Sequence, residues 1–132
     1  MSPEDLRALL GQVPFADHLG IAIRSVDPDE LVLDVDPRSE HTTSIGTVHG
    51  GFLMSLADCA GALGSYLNLP DGSQGTTTTE SKTNMLRPAQ QGVPLTATAT
   101  PVSRGRRLQV WQTRVEQEGR LISLTTQTQM NL

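Results

Sequence analysis

The spacing of apolar and polar positions predicts one long helix near the middle of the chain. Between residues 46 and 67, the large apolar side chains of Phe52, Leu56, Leu63 and Leu67 recur at a helical period. Glycine, alanine, serine and cysteine occupy most of the positions between them. Because small side chains allow another backbone to approach closely, we expect this helix to be wrapped by a sheet or by a second subunit.

Upstream of this helix, the pattern predicts a short helix and two strands. Ser2, Pro3 and Asp5 combine an N-cap, a first-turn proline and a capping-box acid, so a helix is expected from there to Gly11. A first strand is predicted over residues 19–23 and a second over residues 31–36, followed by a polar loop over residues 37–44.

Downstream of the central helix, the period changes to the two-residue alternation of half-buried strands. Turn formers dominate residues 68–75, which therefore form a loop. Strands are predicted over residues 76–86, 93–103, 106–117 and 120–130. One long helix followed by consecutive antiparallel strands is an α+β pattern, in which the sheet must curl around the helix to bury its apolar side.

Length and charge narrow the class of protein. A chain of 132 residues has the size of one domain, residues 1–132, with one hydrophobic core. Its net charge of −4 argues against nucleic acid or an anionic membrane as the main partner, and no segment is long enough to span a bilayer. The N-terminus lacks the features of a signal peptide, and the lone Cys59 cannot form an internal disulfide, so a cytoplasmic location is predicted.

Asp58 is the main candidate for chemistry. It is the only carboxylate between Gly46 and Leu69, and a buried ionised group is costly unless it has partners or a task. A structural aspartate bonded to the backbone or to a hydroxyl is the alternative. At the N-terminus of the same helix, Gly50 and Gly51 carry backbone N–H groups that can hold an anion or a polarised carbonyl oxygen.

The motif His49-Gly50-Gly51, followed by six residues and then Asp58, resembles that of the hotdog-fold acyl-CoA thioesterases. The phenylacetate-degradation and 4-hydroxybenzoyl-CoA types are the most similar. Residues 19–21 and 85–89 extend the resemblance over roughly the whole chain. The resemblance implies a hotdog fold, in which a curled antiparallel β-sheet wraps around the central helix. It also implies an acyl-CoA substrate and a homodimer or homotetramer.

The resemblance further implies roles for the residues of the motif. Asp58 would be the general base or the nucleophile, and the Gly50 N–H would polarise the thioester carbonyl, with Gly51 beside it at the substrate. His49 would either fix the Gly50 loop through a ring hydrogen bond or protonate the leaving thiolate. The first role is favoured, because a thiolate leaves without much help from an acid.

Thr43 departs from the pattern of that family. Members commonly place Asn or Gln six residues before the histidine of the motif, and Thr43 occupies that position here. A hydroxyl can donate or accept a hydrogen bond but lacks the paired groups of an amide. Thr43 is therefore predicted to orient the carbonyl or the attacking water less firmly, and Thr42 and Ser44 are alternatives for this role.

The arginines are candidates for binding the phosphates of coenzyme A. Arg104, Arg106 and Arg107 form the only basic cluster in an acidic chain, and Arg87 is a comparable candidate. The alternative interpretation of the cluster, a solvated hairpin turn, is favoured.

No metal and no cofactor are expected. His41 and His49 have no second cluster of histidine, cysteine or acid at ligand spacing. Ser55 and Cys59 lie near Asp58 but are predicted to pack rather than to act as nucleophiles, since no histidine is close on the helix.

Helix geometry also predicts an active site shared by two chains. Gly50 and Asp58 are eight residues apart, which is about 12 Å along a helix. One thioester carbonyl cannot touch both, so the N-terminus of one helix must meet the middle of a partner's helix. Two other functions remain open: a hotdog hydratase or dehydratase of acyl thioesters, and an acyl-CoA binding module without activity.

Overall fold

The computed structural model describes residues 2–132. In chain order the helices and strands are α1 (Pro3–Gly11), α2 (Pro14–Leu19), β1 (Ala22–Asp27), β2 (Glu30–Val35), α3 (Gly50–Leu67), β3 (Thr76–Met85), β4 (Leu95–Arg104), β5 (Leu108–Gln117) and β6 (Arg120–Asn131), with a 3₁₀ helix at Ser39–His41. Helix α1 starts as predicted, because Ser2 and Asp5 exchange hydrogen bonds in a capping box.

The six strands form one antiparallel sheet in the order β1-β2-β4-β5-β6-β3. Strands β4, β5 and β6 form the predicted three-stranded meander. Helix α3 packs against every strand from β2 to β6, so the sheet curls around it. The predicted α+β class with a sheet around one long helix is confirmed, and β1 and β3 are the two edge strands.

The prediction was wrong for the region before the sheet. The sequence predicts a strand over residues 19–23, but α2 ends at Leu19 and β1 begins at Ala22. Pro14 starts α2 at its first position, and Gly20 ends it with a left-handed backbone at φ +74°. A helix of six residues has fewer than two turns and leaves no periodic signal.

The long helix is also shorter than its apolar stretch. Residues 46–49 belong to the preceding loop, and α3 begins at Gly50. Gly46 has a positive φ of 83°, and single bridges join Thr42 to Val48 and Thr47 to Gln90. The first bridge closes the loop on itself and the second ties it to the segment between β3 and β4, so the direction in which α3 begins is fixed by paired backbone.

The interior between α3 and the sheet is apolar on one side and polar on the other. Leucines of α1, α3 and β2 pack with Trp111, whose ring lies against Gly64. Strands β5 and β6 instead bury a row of polar side chains: Gln109, Thr113, Ser123, Thr125, Gln127 and Gln129. The Gln109 amide donates to the carbonyl oxygens of Ser65 and Asn68 at 3.1 and 3.2 Å, which ties β5 to the end of α3.

A β-bulge determines which residues of β3 face the helix. The pairing of β3 with β6 shifts between Thr78 and Glu80. Thr76 and Thr78 are half-buried before the bulge, and Ser81 and Thr83 are half-buried after it. An unbroken strand would place Glu80 on the inner face, because side chains alternate. The extra residue reverses the alternation and leaves Glu80 exposed.

Candidate active site

Asp58 lies in the third turn of α3, half-buried, with its two carboxylate oxygens in different environments. Oδ1 accepts a hydrogen bond from the Thr78 hydroxyl at 2.7 Å and another from the Gln127 amide at 3.2 Å. Oδ2 makes no hydrogen bond within residues 2–132. One oxygen is therefore held in place while the other is free to act on a substrate or a water molecule.

The direction of the Thr78 hydroxyl is set by a second glutamine. Gln129 Nε2 donates to Thr78 Oγ1 at 2.6 Å, so the hydroxyl proton is left for Asp58. The Gln129 amide is oriented in turn, because Thr76 donates to its Oε1 at 3.1 Å. This chain of donors runs from Thr76 through Gln129 and Thr78 to Asp58 and fixes the direction from which the carboxylate is approached.

Gly61 makes room for Gln127 next to the helix. A Cβ at residue 61 would lie 2.4 Å from Cδ of Gln127, closer than side chains tolerate. Gln127 is only 1% exposed, and it reaches both the carboxylate and the backbone carbonyl of Asp58. Its Oε1 is buried without a hydrogen-bond partner among the described residues. The glycine is thus needed at this position for the contact between strand and carboxylate.

The motif at the start of α3 forms an N-terminal cap. His49 Nδ1 accepts a hydrogen bond from the Gly51 N–H at 2.8 Å, which is the ring contact that the favoured interpretation of His49 requires. The Gly50 N–H has no partner in the part of the chain that the structure describes. Gly50 borders a cavity of about 340 Å³ with Met85 and Arg87, so a ligand can approach this end of α3.

Gly50 and Asp58 line different cavities. The cavity at Asp58 has a volume of about 270 Å³ and lies between α3 and the N-terminal helices. It shares no residue with the cavity at Gly50. Within one chain the structure therefore does not bring the predicted oxyanion donor and the predicted carboxylate to one centre.

Thr43 is engaged in its own loop. Its hydroxyl lies 3.1 Å from the Thr47 hydroxyl, and its N–H donates to the Thr47 carbonyl at 2.7 Å. Of the two alternatives, Thr42 donates to the Ser39 carbonyl at 2.7 Å, and Ser44 is exposed. The hydroxyl of Thr43 can exchange its Thr47 contact for a ligand, because it is only half-buried.

The four arginines lie in separate places. Arg104 pairs with Asp29 at 2.7 Å and donates to Asn68 at 3.0 Å, so it braces the C-terminal end of α3. That end is about 27 Å from Gly50 along the helix, at 1.5 Å per residue over 18 residues. Arg106 and Arg107 are exposed in the β4–β5 turn. Of these arginines, the one beside Gly50 is Arg87, which also donates to the Leu121 carbonyl at 3.3 Å.

The remaining candidates have structural contacts. Burial, helped by the negative charge of Asp58, raises the pKa of the Cys59 thiol to about 11, so the thiol is protonated at neutral pH. Ser55 donates to the Gly51 carbonyl at 2.8 Å. His41 is buried, stacks on Phe52 at 4.2 Å and accepts the Arg38 N–H, and burial lowers the pKa of its imidazole. Residues 2–132 contain no group of three acids, histidines or cysteines arranged to hold a metal.

Comparison with known proteins identifies the family. The family model for the thioesterase superfamily matches residues 45–123, which is more than half of the chain and includes the motif and Asp58. The chain belongs to the thioesterase superfamily. The predicted resemblance is confirmed, and with it the hotdog fold.

Individual relatives of this thioesterase-superfamily protein agree in sequence and in structure. A protein from Haemophilus influenzae, whose name assigns it to the esterases, is 37% identical over 103 residues, which are 76% of this chain and 72% of that protein. The solved structure of a thioesterase from the same species has a TM-score of 0.89 at 29% identity and covers 100% of this chain and 91% of that one. A mutant of the phenylacetic acid degradation protein PaaI from Thermus thermophilus has a TM-score of 0.83 at 34% identity, with coverages of 90% and 99%.

The membership places this protein in an enzyme superfamily of thioester hydrolases, as the sequence predicts. Within the described residues, no helix has both the length and the apolar character needed to cross a bilayer.

Sequence reasoning missed the residues that hold Asp58 in this thioesterase-superfamily protein. Thr78, Gln127 and Gln129 lie in strands whose polar, β-branched composition gives no sign of chemistry. One signal was available, since Thr125, Gln127 and Gln129 recur at every second position of β6 and must share one face of the sheet. Polar groups on a face that covers an apolar helix need partners, and the only acid in the middle of that helix is Asp58.

Proposed function

We propose that the protein is an acyl-CoA thioesterase in which Asp58 is the general base or the nucleophile. The observation that carries the proposal is the asymmetry of the carboxylate, with Oδ1 held by Thr78 and Gln127 and Oδ2 free at the edge of an apolar cavity. A base or nucleophile needs a free oxygen and a fixed orientation. A carboxylate that only braced the helix against the sheet would not need a free oxygen beside a cavity.

The reaction splits the carbon–sulfur bond of the thioester with water. As a base, Asp58 takes a proton from water while the water oxygen adds to the carbonyl carbon. As a nucleophile, its Oδ2 bonds to that carbon first, and water then hydrolyses the mixed anhydride. In either case the carbonyl oxygen gains negative charge, which a backbone N–H can stabilise, and coenzyme A leaves as a thiolate and takes up a proton.

We propose the Gly50 N–H of a partner subunit as this donor. The separation of Gly50 and Asp58 along α3, about 12 Å at 1.5 Å per residue, and their different cavities support a site shared between two chains. Exposed apolar side chains near the Gly50 end of α3, including Met54, Met85 and Leu86, favour a covered surface there. An antiparallel pair of α3 helices about a two-fold axis would create two equivalent sites in a dimer, and two such dimers would form a tetramer.

Arg87 is the proposed contact for the phosphates of coenzyme A. It lines the same cavity as Gly50 and also a polar cavity of about 650 Å³ that continues past it to Arg120. Arginine suits phosphate because its planar fork of donors matches two phosphate oxygens. Arg104 is less suited, since Asp29 and Asn68 already occupy its guanidinium group. An acyl-CoA substrate is in keeping with a cytoplasmic location.

The geometry of one chain does not favour the hydratase alternative. That chemistry needs a histidine that acts on the substrate beside an acid, whereas Nδ1 of His49 already accepts the Gly51 N–H and the ring serves as the cap of α3. Product analysis separates the two activities and also the inactive binding module. Free thiol indicates hydrolysis, altered unsaturation with an intact thioester indicates hydration, and binding without either indicates a binding module.

The test of Asp58 uses a change of charge at constant shape. Asp58→Asn keeps an oxygen for Thr78 and Gln127 but cannot act as a base, so kcat should fall by at least about 10². Asp71→Asn, the same change in an exposed loop residue, is the control and should leave kcat within twofold. Release of free thiol from a series of acyl-CoA thioesters measures the rate. Near-full turnover by Asp58→Asn would remove Asp58 from the mechanism.

The shared site is tested by mixing two inactive variants. Gly50→Pro removes the proposed donor at the first helical position, where proline is well tolerated, and should cost about 10² to 10³ in kcat. Gly50→Ala keeps the N–H and should cost far less. Random mixing of Gly50→Pro with Asp58→Asn chains gives about half hybrid dimers with one intact site of two, so about a quarter of wild-type activity should return. Mixtures that stay inactive after proven subunit exchange would contradict the model.

A further inference from the structure

One face of α3 forms a continuous wall of the cavity that starts at Asp58. Its members are Asp58, Cys59, Ala62, Leu63 and Tyr66, which follow the spacing of a single helical face. Asp58 and Tyr66 are separated by eight residues, or about 12 Å along the axis. The cavity therefore extends from the free carboxylate oxygen along the helix and away from the Gly50 end.

The opposite wall comes from the N-terminal helices and is apolar. Leu9, Leu10, Val13 and Ala16 line it. This wall is held in place, because Leu6 and Leu10 of α1 are buried in the core, at 0% and 7% exposure. The cavity is thus a space between α3 and the N-terminal helices α1 and α2.

The polar atoms of this cavity are few, and most are already engaged. The Thr76 hydroxyl donates to Gln129 Oε1 and lies 3.3 Å from the Ser65 hydroxyl, so it is not available to a ligand. Apart from Asp58, this leaves the Tyr66 hydroxyl and the weakly polar Cys59 thiol as the polar side-chain groups of the lining. No lysine, arginine or histidine lines the cavity, so a second carboxylate on the acyl group would find no partner there.

We infer that this cavity holds the acyl group of the substrate and selects uncharged hydrocarbon acyl groups of up to about eight carbons. The inference rests on the proposed function, because only a thioester carbonyl placed at Asp58 directs the acyl chain into the cavity. The coenzyme A portion then lies on the side of the partner's Gly50. One substrate is accordingly divided between two subunits, with its acyl half on the chain that supplies Asp58.

The length limit follows from simple geometry. A carbonyl carbon in position for attack stands about 3 Å from the carboxylate, which leaves about 9 Å of the distance to Tyr66. An extended hydrocarbon advances roughly 1.25 Å per carbon, given a C–C bond of about 1.5 Å and a tetrahedral angle. About seven carbons therefore fit beyond the carbonyl. Straight octanoyl and compact phenylacetyl groups both satisfy this limit, and a dodecanoyl group does not.

Two residues are assigned opposite effects on acyl length. Ala62 lies one turn beyond Asp58, about 6 Å along the helix, and its small side chain leaves the path open. Ala62→Leu should block the chain after about four carbons. Tyr66 closes the far end, so Tyr66→Ala should admit ten to twelve carbons. Ala62→Ser, which is similar in size to alanine, is the matched control.

The experiment measures kcat/KM for acetyl-, butyryl-, octanoyl-, dodecanoyl- and phenylacetyl-CoA with the purified full chain. Each methylene that loses its site costs a factor of about four, and octanoyl has four more methylenes than butyryl, so Ala62→Leu should lower the octanoyl-to-butyryl ratio by about 250-fold. Tyr66→Ala should raise the dodecanoyl-to-octanoyl ratio at least tenfold, whereas Ala62→Ser should change the first ratio by no more than a few-fold. Length profiles that remain the same in Ala62→Leu and Tyr66→Ala would overturn the assignment while leaving the thioesterase proposal intact.

A second measurement keeps the inference testable if no thioester is hydrolysed. Analogues of acyl-CoA that carry a methylene between sulfur and carbonyl cannot be cleaved by water, and their Kd values are obtained by titration calorimetry. We expect wild-type affinity to rise with chain length up to eight carbons, with the limit moving down in Ala62→Leu and up in Tyr66→Ala. Length-dependent binding without hydrolysis would overturn the proposed function alone, and binding that does not depend on length would overturn the assignment of the cavity.

Discussion

Replacing Gly61 by alanine sets two physical effects against each other. Alanine stabilises a helix interior by up to about 1 kcal/mol relative to glycine. At this position, however, the new Cβ would lie 2.4 Å from Cδ and from Oε1 of Gln127. If the helix shifts, overpacking destabilises the protein by about 1–3 kcal/mol. If Gln127 moves instead, the protein loses a hydrogen bond to a charged group, which costs about 1.5–3 kcal/mol.

Steric conflict should therefore outweigh helix propensity. The sum is a net loss of about 0.5–2 kcal/mol in the free energy of unfolding for Gly61→Ala. In a Gln127→Ala background the clash is absent, so the same substitution should stabilise the protein by about 0.5–1 kcal/mol. The difference between the two backgrounds, about 1–3 kcal/mol, measures the contact between strand and helix without interference from the intrinsic effect of alanine.

Urea unfolding of the four proteins provides the assay. Trp111 is the only tryptophan and is fully buried, so its fluorescence reports loss of the core. Protein concentration must be equal in all samples, because the proposed subunit association would contribute to apparent stability. An equal effect of Gly61→Ala in both backgrounds would refute the argument. A large effect in both would show that backbone, not Gln127, limits residue 61.

Two further predictions concern the candidate site. Thr43→Val should lower kcat about tenfold, and Thr43→Asn should preserve or raise it. The control is Thr47→Val, which removes the same loop contact from its other side and should lower kcat far less. Equal losses in the two valine variants would assign Thr43 to the loop rather than to the substrate. Arg87→Ala should raise KM for acyl-CoA about tenfold, as expected for the loss of one charge-assisted hydrogen bond. Arg104→Ala should mainly lower the melting temperature, because its partners are residues of the protein. A larger rise in KM for Arg104→Ala than for Arg87→Ala would reverse the assignment.

The features that the sequence predicts correctly are those that depend on residues close together in the chain. The capping box at Ser2, the long helix and the β4–β6 meander each follow from periodicity or from turn residues within one segment. The short α2 was missed because Pro14 and Gly20 enclose too few residues for a period to develop. The bulge in β3 was missed for a related reason, since it depends on pairing with β6 rather than on any residue of β3.

The candidate site was predicted only as far as it follows from the helix. The motif at His49, Gly50 and Asp58 is contiguous in sequence, so its spacing could be converted into a distance. The partners of Asp58 come from strands 20 and 69 residues later in the chain, where Thr78 and Gln127 look like ordinary strand residues. Arg104 shows a limit of another kind, because a basic cluster in sequence gives no indication that Asp29 and Asn68 contact one of its members.

The buried glutamines also fix the position of α3 along its own axis relative to the sheet. The face of the helix toward β5 and β6 includes Gly61 and Gly64, where Gln127 and the Trp111 ring lie closer to the helix than a Cβ would allow. The Gln127 amide donates a hydrogen bond to the Asp58 carboxylate, and the Gln109 amide donates one to the Ser65 carbonyl, about two turns further along the helix. A slide of one residue, about 1.5 Å, would strain both amide contacts at once. Placement of the carboxylate along the helix axis is thereby determined by directional bonds as well as by the close fit of two side chains against glycines.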